Sequence, residues 1–210
     1  MRVAEIFQSI QGETTHVGRP CAFVRLAGCD RRCRYCDSSY AWEGGTERSI
    51  DQILTALEPF GTRFVTVTGG EPMLQAQTPE LCQRLLDAGW EVSLETHGQA
   101  PLAGLPAQVR RIVDVKTPGS GAEDRAFINL PFLRPGDEVK LVVTCEADFA
   151  WAVEVCRRYE LEARVPILLS PAFGLVEPRE LVGWLLASGL KARLGLQIHK
   201  YIWPPETRGV

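Results

Sequence analysis

The chain has 210 residues, 45% of them hydrophobic and 23% charged, which is enough apolar content to bury a core. A net charge of −3 with no basic stripe disfavours nucleic acid as a partner, and no apolar run reaches the roughly 18 residues of a membrane span. Met1 to Glu5 lacks the apolar core of a signal peptide, and three of the seven cysteines crowd into eight positions, so a cytoplasmic metal site is expected rather than a disulfide scaffold.

One domain over residues 1–210 is expected, with strands and helices in alternation. Cys21 to Leu26 reads as a strand. Ser49-Ile-Asp-Gln52 resembles a capping box ahead of a helix that places Ile50, Ile53, Leu54 and Leu57 on one face. Phe64 to Val67 is the next strand. Thr78 is the expected N-cap of a second helix, with Pro79 in its first turn, Leu81, Leu85 and Leu86 as its apolar stripe, and Gly89 as its stop. Further strands are expected at Glu91 to Glu95, Arg111 to Val115, Val139 to Val143, Val165 to Leu169 and Leu194 to Ile198. Helices are expected near Ala147 to Arg158 and Glu177 to Ala187. Thr96 to Arg110 and Lys116 to Asp137 carry no clear helix. The alternation implies an α/β fold of mostly parallel strands, and the two gaps imply a shortened, partial TIM-type barrel, open on one side.

Chemistry-bearing residues follow these strands one after another: Cys29, Thr68-Gly-Gly-Glu-Pro72, Glu95-Thr-His-Gly98, Lys116-Thr-Pro118, Ser170-Pro171 and His199-Lys-Tyr201. In parallel α/β architectures the C-terminal strand ends form the rim where ligands bind. The spacing of Cys29, Cys33 and Cys36 is a chance event of roughly 1% in such a composition. Three thiolates leave one iron of a [4Fe–4S] cluster open to a small molecule. A structural zinc completed by His16 or His97 is the rival reading. Cys21, Cys82, Cys145 and Cys156 fall in strands or helices and are expected in the core.

Cys-x3-Cys-x2-Cys with Tyr35 before the last cysteine resembles the signature of the radical S-adenosylmethionine (SAM) superfamily, and Gly69-Gly-Glu-Pro72 resembles the segment that holds the methionine end of SAM there. A finer resemblance runs through Glu5-Ile-Phe-Gln-Ser-Ile-Gln-Gly-Glu13, Gly18-Arg-Pro20, Phe23 to Cys29, Cys36-Asp-Ser38, Thr68 to Gln75 and Gln197-Ile-His-Lys200. Together these are similar to the 7-carboxy-7-deazaguanine synthase family. The resemblance implies conversion of 6-carboxy-5,6,7,8-tetrahydropterin to 7-carboxy-7-deazaguanine with loss of ammonia, on the way to queuosine. It also implies a [4Fe–4S] cluster, SAM, Mg2+, an electron donor such as flavodoxin or ferredoxin, and a homodimer.

By the same resemblance, Cys29, Cys33 and Cys36 hold the cluster and Ser38 the magnesium. Gln11, Gly12, Glu13, Arg25 and Thr68 meet the substrate. Gly70, Asp114, Val115, Lys116 and the divergent stretch Ser170, Pro171, Ala172 and Phe173 meet SAM. The radical formed from SAM performs the chemistry, so no protein side chain is assigned a catalytic role, and His97 and His199 are left as locally hydrogen-bonded residues. Two departures stand out: the three-residue spacing between the first two cysteines is short, and Pro205 to Val210 continue past the proline that ends some members. The rival activities are a radical SAM activase acting on a partner enzyme and, more distantly, a zinc-binding module.

Overall fold

In the computed structural model, which describes residues 1–122 and 127–210, the strands are β1 (Arg2–Ile10), β2 (Pro20–Leu26), β3 (Thr46–Glu47), β4 (Phe64–Gly69), β5 (Glu91–Thr96), β6 (Arg110–Asp114), β7 (Glu138–Val143), β8 (Ile167–Pro171) and β9 (Arg193–Leu194). The helices are α1 (Ile50–Leu57), α2 (Thr78–Asp87), α3 (Glu146–Arg158), α4 (Pro178–Ser188) and the short α5 (His199–Ile202). All nine strands join one sheet of order β3-β1-β2-β4-β5-β6-β7-β8-β9. From β2 through β9 every neighbouring pair is parallel, while β1 runs antiparallel to both β2 and β3. The two ends of the sheet do not meet, so the barrel is open as expected.

The period-2 pattern of the strands splits the sheet into an apolar outer face and a polar inner one. Val65, Val67, Val92 and Leu94 pack outward against Ile53, Leu57, Leu81 and Leu85 of α1 and α2. Val139, Leu141 and Val143 pack outward against Phe149, Val153 and Leu181 of α3 and α4. Each fully buried leucine or isoleucine contributes about 1.5–3 kcal/mol. Between those positions lie Arg25, Thr66, Thr68, Ser93, Glu95, Asp114 and Lys140, which therefore share the inner face. Register sets them side by side, with Arg25 opposite Thr68 and Asp114 opposite Lys140.

The N-terminal rim of the same strands holds a structural lock. Asp137 accepts from the Arg111 backbone at 3.1 Å, from Arg111 Nε at 2.9 Å and from the Arg134 backbone at 2.7 Å, and it also pairs with Arg111 Nη2. Both side chains are buried. Removing one partner strands a buried charge. Asp137→Ala should therefore lower stability by about 3–5 kcal/mol, read as a lower denaturant midpoint at an unchanged slope.

Several boundaries differ from the sequence reading. β1 was not expected; its residues are mostly half-buried on both faces, so no alternation marks it. Thr78 is the first residue of α2 rather than its N-cap, and its hydroxyl donates to the Pro72 carbonyl at 2.6 Å. The expected strand from Leu194 to Ile198 stops at Leu194, because after Gly195 donates to Leu169 the chain leaves the sheet and Ile198 donates to Gly12. Cys145 lies exposed, just ahead of α3, and is not a core residue, whereas Cys21, Cys82 and Cys156 are buried. The capping box forms as read, with Ser49 accepting from Gln52 N at 3.2 Å and donating to its side chain at 2.9 Å. Among the described residues of Lys116 to Asp137, only two 3-10 turns occur, at Pro118–Ser120 and Leu130–Phe132. No helix is long and apolar enough to cross a membrane among the described residues.

Candidate active site

The C-terminal rim of the parallel strands opens into a cavity of about 660 Å3. Cys29, Cys33 and Cys36 all line it from the loop that follows β2. That loop is held by backbone bonds: Gly28 donates to Ala41 at 2.8 Å, Cys29 to Trp42 at 3.2 Å, and Cys36 to Cys33 at 3.2 Å. The next strand end grips it from the other side, where Gly70 donates to Leu26 at 3.0 Å and Glu71 to Gly28 at 2.8 Å. A side chain at Gly70 would meet the Gly28 carbonyl oxygen at 2.2 Å and Cys29 Cβ at 2.8 Å, so only glycine permits this approach. The Gly70 amide is thereby used, and its carbonyl is what it can offer a ligand.

Glu71 is fully buried and ties the ends of β4 and β5 together, accepting from Met73 N at 2.9 Å, Thr96 Oγ1 at 2.8 Å and His97 N at 2.8 Å. His97 accepts from Gln99 N through Nδ1 at 3.1 Å and so carries its proton on Nε2, which faces Asp30 Oδ1 at 2.9 Å. It is the locally satisfied histidine the sequence reading expected.

Burial pushes the Cys29 and Cys33 thiols above their ordinary range, as for neutral thiols that give up protons only to a metal. Three thiolates on one zinc, at Zn–S distances of ~2.3 Å, would bring the sulfurs to about 3.8 Å from one another. Among the described residues, the trio of such ligands closing to within 4.8 Å is instead Glu13, Asp37 and His199. The wider cysteine triad suits a multi-iron cluster. The Glu13 and Asp37 carboxylates are both already neutralised by lysines, at 2.6 Å from Lys140 and 2.7 Å from Lys200.

The inner-face residues form a connected floor. Lys140 Nζ bridges Glu13 Oε2 and Asp114 Oδ2, the latter at 3.0 Å, and Lys116 Nζ reaches the same Asp114 oxygen at 2.9 Å. Burial alone would depress Lys140, but Asp114, Glu13 and Glu95 outweigh it and hold its pKa well above the usual value. Burial would raise Glu13 and Asp114, but the lysines win and both stay below the carboxylate range. Burial raises Glu95, which accepts from Gln11 and Thr68 at 3.4 Å each. Gln11 also accepts from the Glu13 amide at 3.1 Å, which fixes the carboxylate's approach. Gln197 donates to Glu13 at 2.9 Å. Gly12 leaves room for His199, whose Nδ1 would lie 2.4 Å from any Cβ there.

Arg25 donates through Nε to Glu5 at 2.7 Å, and Tyr40 donates to the same oxygen at 2.5 Å. Ser38 makes no capping bond to the turn that follows it, and its Oγ stands 3.9 Å from Cys36 Sγ. Asp114 Oδ1 and Tyr35 OH are buried, line the cavity and have no hydrogen-bond partner, as expected of atoms awaiting a ligand. Thus Gln11, Gly12, Glu13, Arg25, Ser38, Thr68, Gly70, Asp114, Lys116 and Phe173 all reach one cavity. Val115, Ser170, Pro171 and Ala172 are buried and do not line it, with Ser170 Oγ unpartnered. The sequence reading gave no role to Glu5, Tyr40, Lys140 or Arg208; the period-2 pattern was the available signal for Lys140.

Residues 24–129 match the Radical SAM superfamily, and the open parallel sheet with its cysteine loop after the first parallel strand has that superfamily's form. The chain is a radical SAM enzyme, with a [4Fe–4S] cluster and SAM as its cofactors. It is 44% identical to the 7-carboxy-7-deazaguanine synthase of Chlorobaculum tepidum, over all of this chain and 97% of that one. It is 42% identical to the 7-carboxy-7-deazaguanine synthase of Koribacter versatilis over the full length of both. The crystal structure of QueE from Escherichia coli shares the fold, with a TM-score of 0.75 at 22% identity over 93% of this chain and 92% of that one. The chain belongs to the 7-carboxy-7-deazaguanine synthase family.

Proposed function

We propose that this enzyme converts 6-carboxy-5,6,7,8-tetrahydropterin to 7-carboxy-7-deazaguanine with loss of ammonia, a step toward queuosine. The observation that carries the reading is one cavity lined by the cysteine triad together with groups of both charges, Arg25 and the Gln11-held Glu13. A guanidinium whose Nε is fixed by Glu5 keeps its two Nη groups for a carboxylate, and Glu13 can accept from the aminopyrimidinone edge. The cluster and SAM together supply, when bound, the carbon-centred radical that starts the rearrangement. Cys29, Cys33 and Cys36 would hold the cluster. The Gly70 carbonyl, Asp114, Lys116 and Phe173, with the buried Val115 and Ser170 to Ala172, would hold SAM. Thr68 and Gly12 complete the substrate wall, and the residues' task is to fix the substrate close to the cofactor and keep water out.

Ser38 supplies a hydroxyl beside the cysteine loop, engaged at 3.9 Å with the Cys36 sulfur. One protein oxygen, the substrate's carboxylate and waters make a sphere suited to Mg2+, a hard cation that keeps part of its hydration. A flavodoxin- or ferredoxin-type protein as electron donor and a homodimeric assembly belong to the same reading. The cavity's enclosure of about 660 Å3 suits a small molecule better than a protein segment, as an activase would require.

Anaerobically reconstituted protein with dithionite, SAM, Mg2+ and 6-carboxytetrahydropterin should yield a deazaguanine chromophore. No product from protein with an intact cluster would refute the substrate. Alanine at Arg25 should abolish turnover on the pterin, whereas unchanged turnover would overturn the role of Arg25 in receiving the substrate.

A further inference from the structure

The cavity's cations are almost all neutralised by the protein itself. Arg25 pairs with Glu5, Lys116 and Lys140 with Asp114, and Lys200 with Asp37. Arg34 and Arg208 are the exceptions, and of the two Arg208 has its charge resting on a ring instead of a carboxylate, with the guanidinium carbon 4.0 Å from the Tyr40 centroid. Among the described residues it has no ion-pair partner. A cation–π contact holds a guanidinium over an aromatic face without using the N–H groups that point outward in the guanidinium's own plane. Tyr40 donates to the Glu5 oxygen that also receives Arg25, so Arg208 and Arg25 flank one Tyr40–Glu5 pair. The segment that carries Arg208, Pro205 to Val210, lines the cavity, and Gly209 is half-buried although Pro204 to Arg208 are exposed.

We propose that Arg208 is a specificity-determining residue, a second guanidinium beside Arg25 that receives the carboxylate of the substrate and selects 6-carboxypterins over pterins with an uncharged 6-substituent. This rests on the pterin reading above and adds to it a residue and a mode of discrimination. A carboxylate is also part of SAM. The corner formed by Phe7, Arg25 and Tyr40 lies on β1, β2 and the turn after the cysteines, and a separate titration with SAM alone distinguishes the two sources.

The test uses the full-length, cluster-loaded protein with SAM and Mg2+ and compares wild type with R208A and R208K. Fluorescence titration with oxidised pterin-6-carboxylate and with 6-hydroxymethylpterin gives an affinity ratio for each. Wild type should prefer the carboxylate, and R208A should lose that preference by roughly tenfold, with R208K between them. In turnover, R208A should raise KM by a similar factor with kcat nearly unchanged, and the affinity for SAM should not move. An unchanged ratio in R208A overturns the role of Arg208 while leaving the substrate standing, as does a loss confined to SAM. Wild-type protein that binds neither pterin overturns both.

Discussion

Gly70→Ala should reduce turnover on the order of 10²-fold or more and lower stability by about 1–3 kcal/mol. The added Cβ would stand 2.2 Å from the Gly28 carbonyl oxygen and 2.7 Å from its carbon, about 1 Å inside ordinary contact. Neither side can yield cheaply. The Gly28 oxygen is bonded to the Glu71 amide and the Gly28 amide to Ala41, so the relief has to come from the loop bearing Cys29. A shift of that size misplaces the first thiolate against the other two. Iron content after reconstitution should fall with activity. Activity within threefold of wild type would show that the loop can absorb the methyl group, and the interlock would lose its functional meaning.

Lys140→Met carries the second large effect. Lys140 is 8% exposed at its side chain and neutralises Glu13 at 2.6 Å and Asp114 at 3.0 Å. Methionine fills the space but leaves Glu13 buried without its counter-charge, at a cost of about 3–5 kcal/mol near neutral pH. In wild type the Glu13 and Asp114 pKa values lie below the ordinary range, so their contribution is present above about pH 4 and is lost as pH falls through the folded values. In the variant, burial is no longer opposed at Glu13 and its folded pKa rises above the unfolded one. The sign then reverses: the variant should gain stability relative to wild type as pH falls toward 5 and lose it as pH rises. Melting temperatures from pH 5 to 8 check this. Parallel curves for the two proteins would refute the assignment.

The residues that build this centre were legible to different degrees, for physical reasons. Cysteine spacing and Gly-Gly-Glu-Pro stand in contiguous sequence, because a loop and a strand end that grip each other are each local. β4, β5 and β7 were legible because their outer faces are apolar runs packed under helices. β1 escaped notice because it lies at one side of the sheet, mostly half-buried, and its membership is decided by pairing with β2 rather than by its own pattern. The tip of the expected last strand became a turn because Ile198 is drawn to Gly12, a contact across most of the chain that no local window contains. Lys140 was concealed in an otherwise apolar strand, where its alternation with Val139 and Leu141 places it inward. Arg208 had no signal at all: its partner is the face of a tyrosine far away in sequence.

The sixth strand carries the two kinds of residue at once, with Arg111 locked to Asp137 at its start and Asp114 under the lysines at its end. Two residues, Ile112 and Val113, separate them, a rise of roughly 10 Å, over which substitution effects on folding become additive. The two ends can therefore diverge independently in evolution. A lineage that strengthens the lower rim gains tolerance for costly changes at the upper one without altering the geometry of the cavity, and an engineer seeking new pterin preferences can begin by reinforcing the end that never meets the ligand.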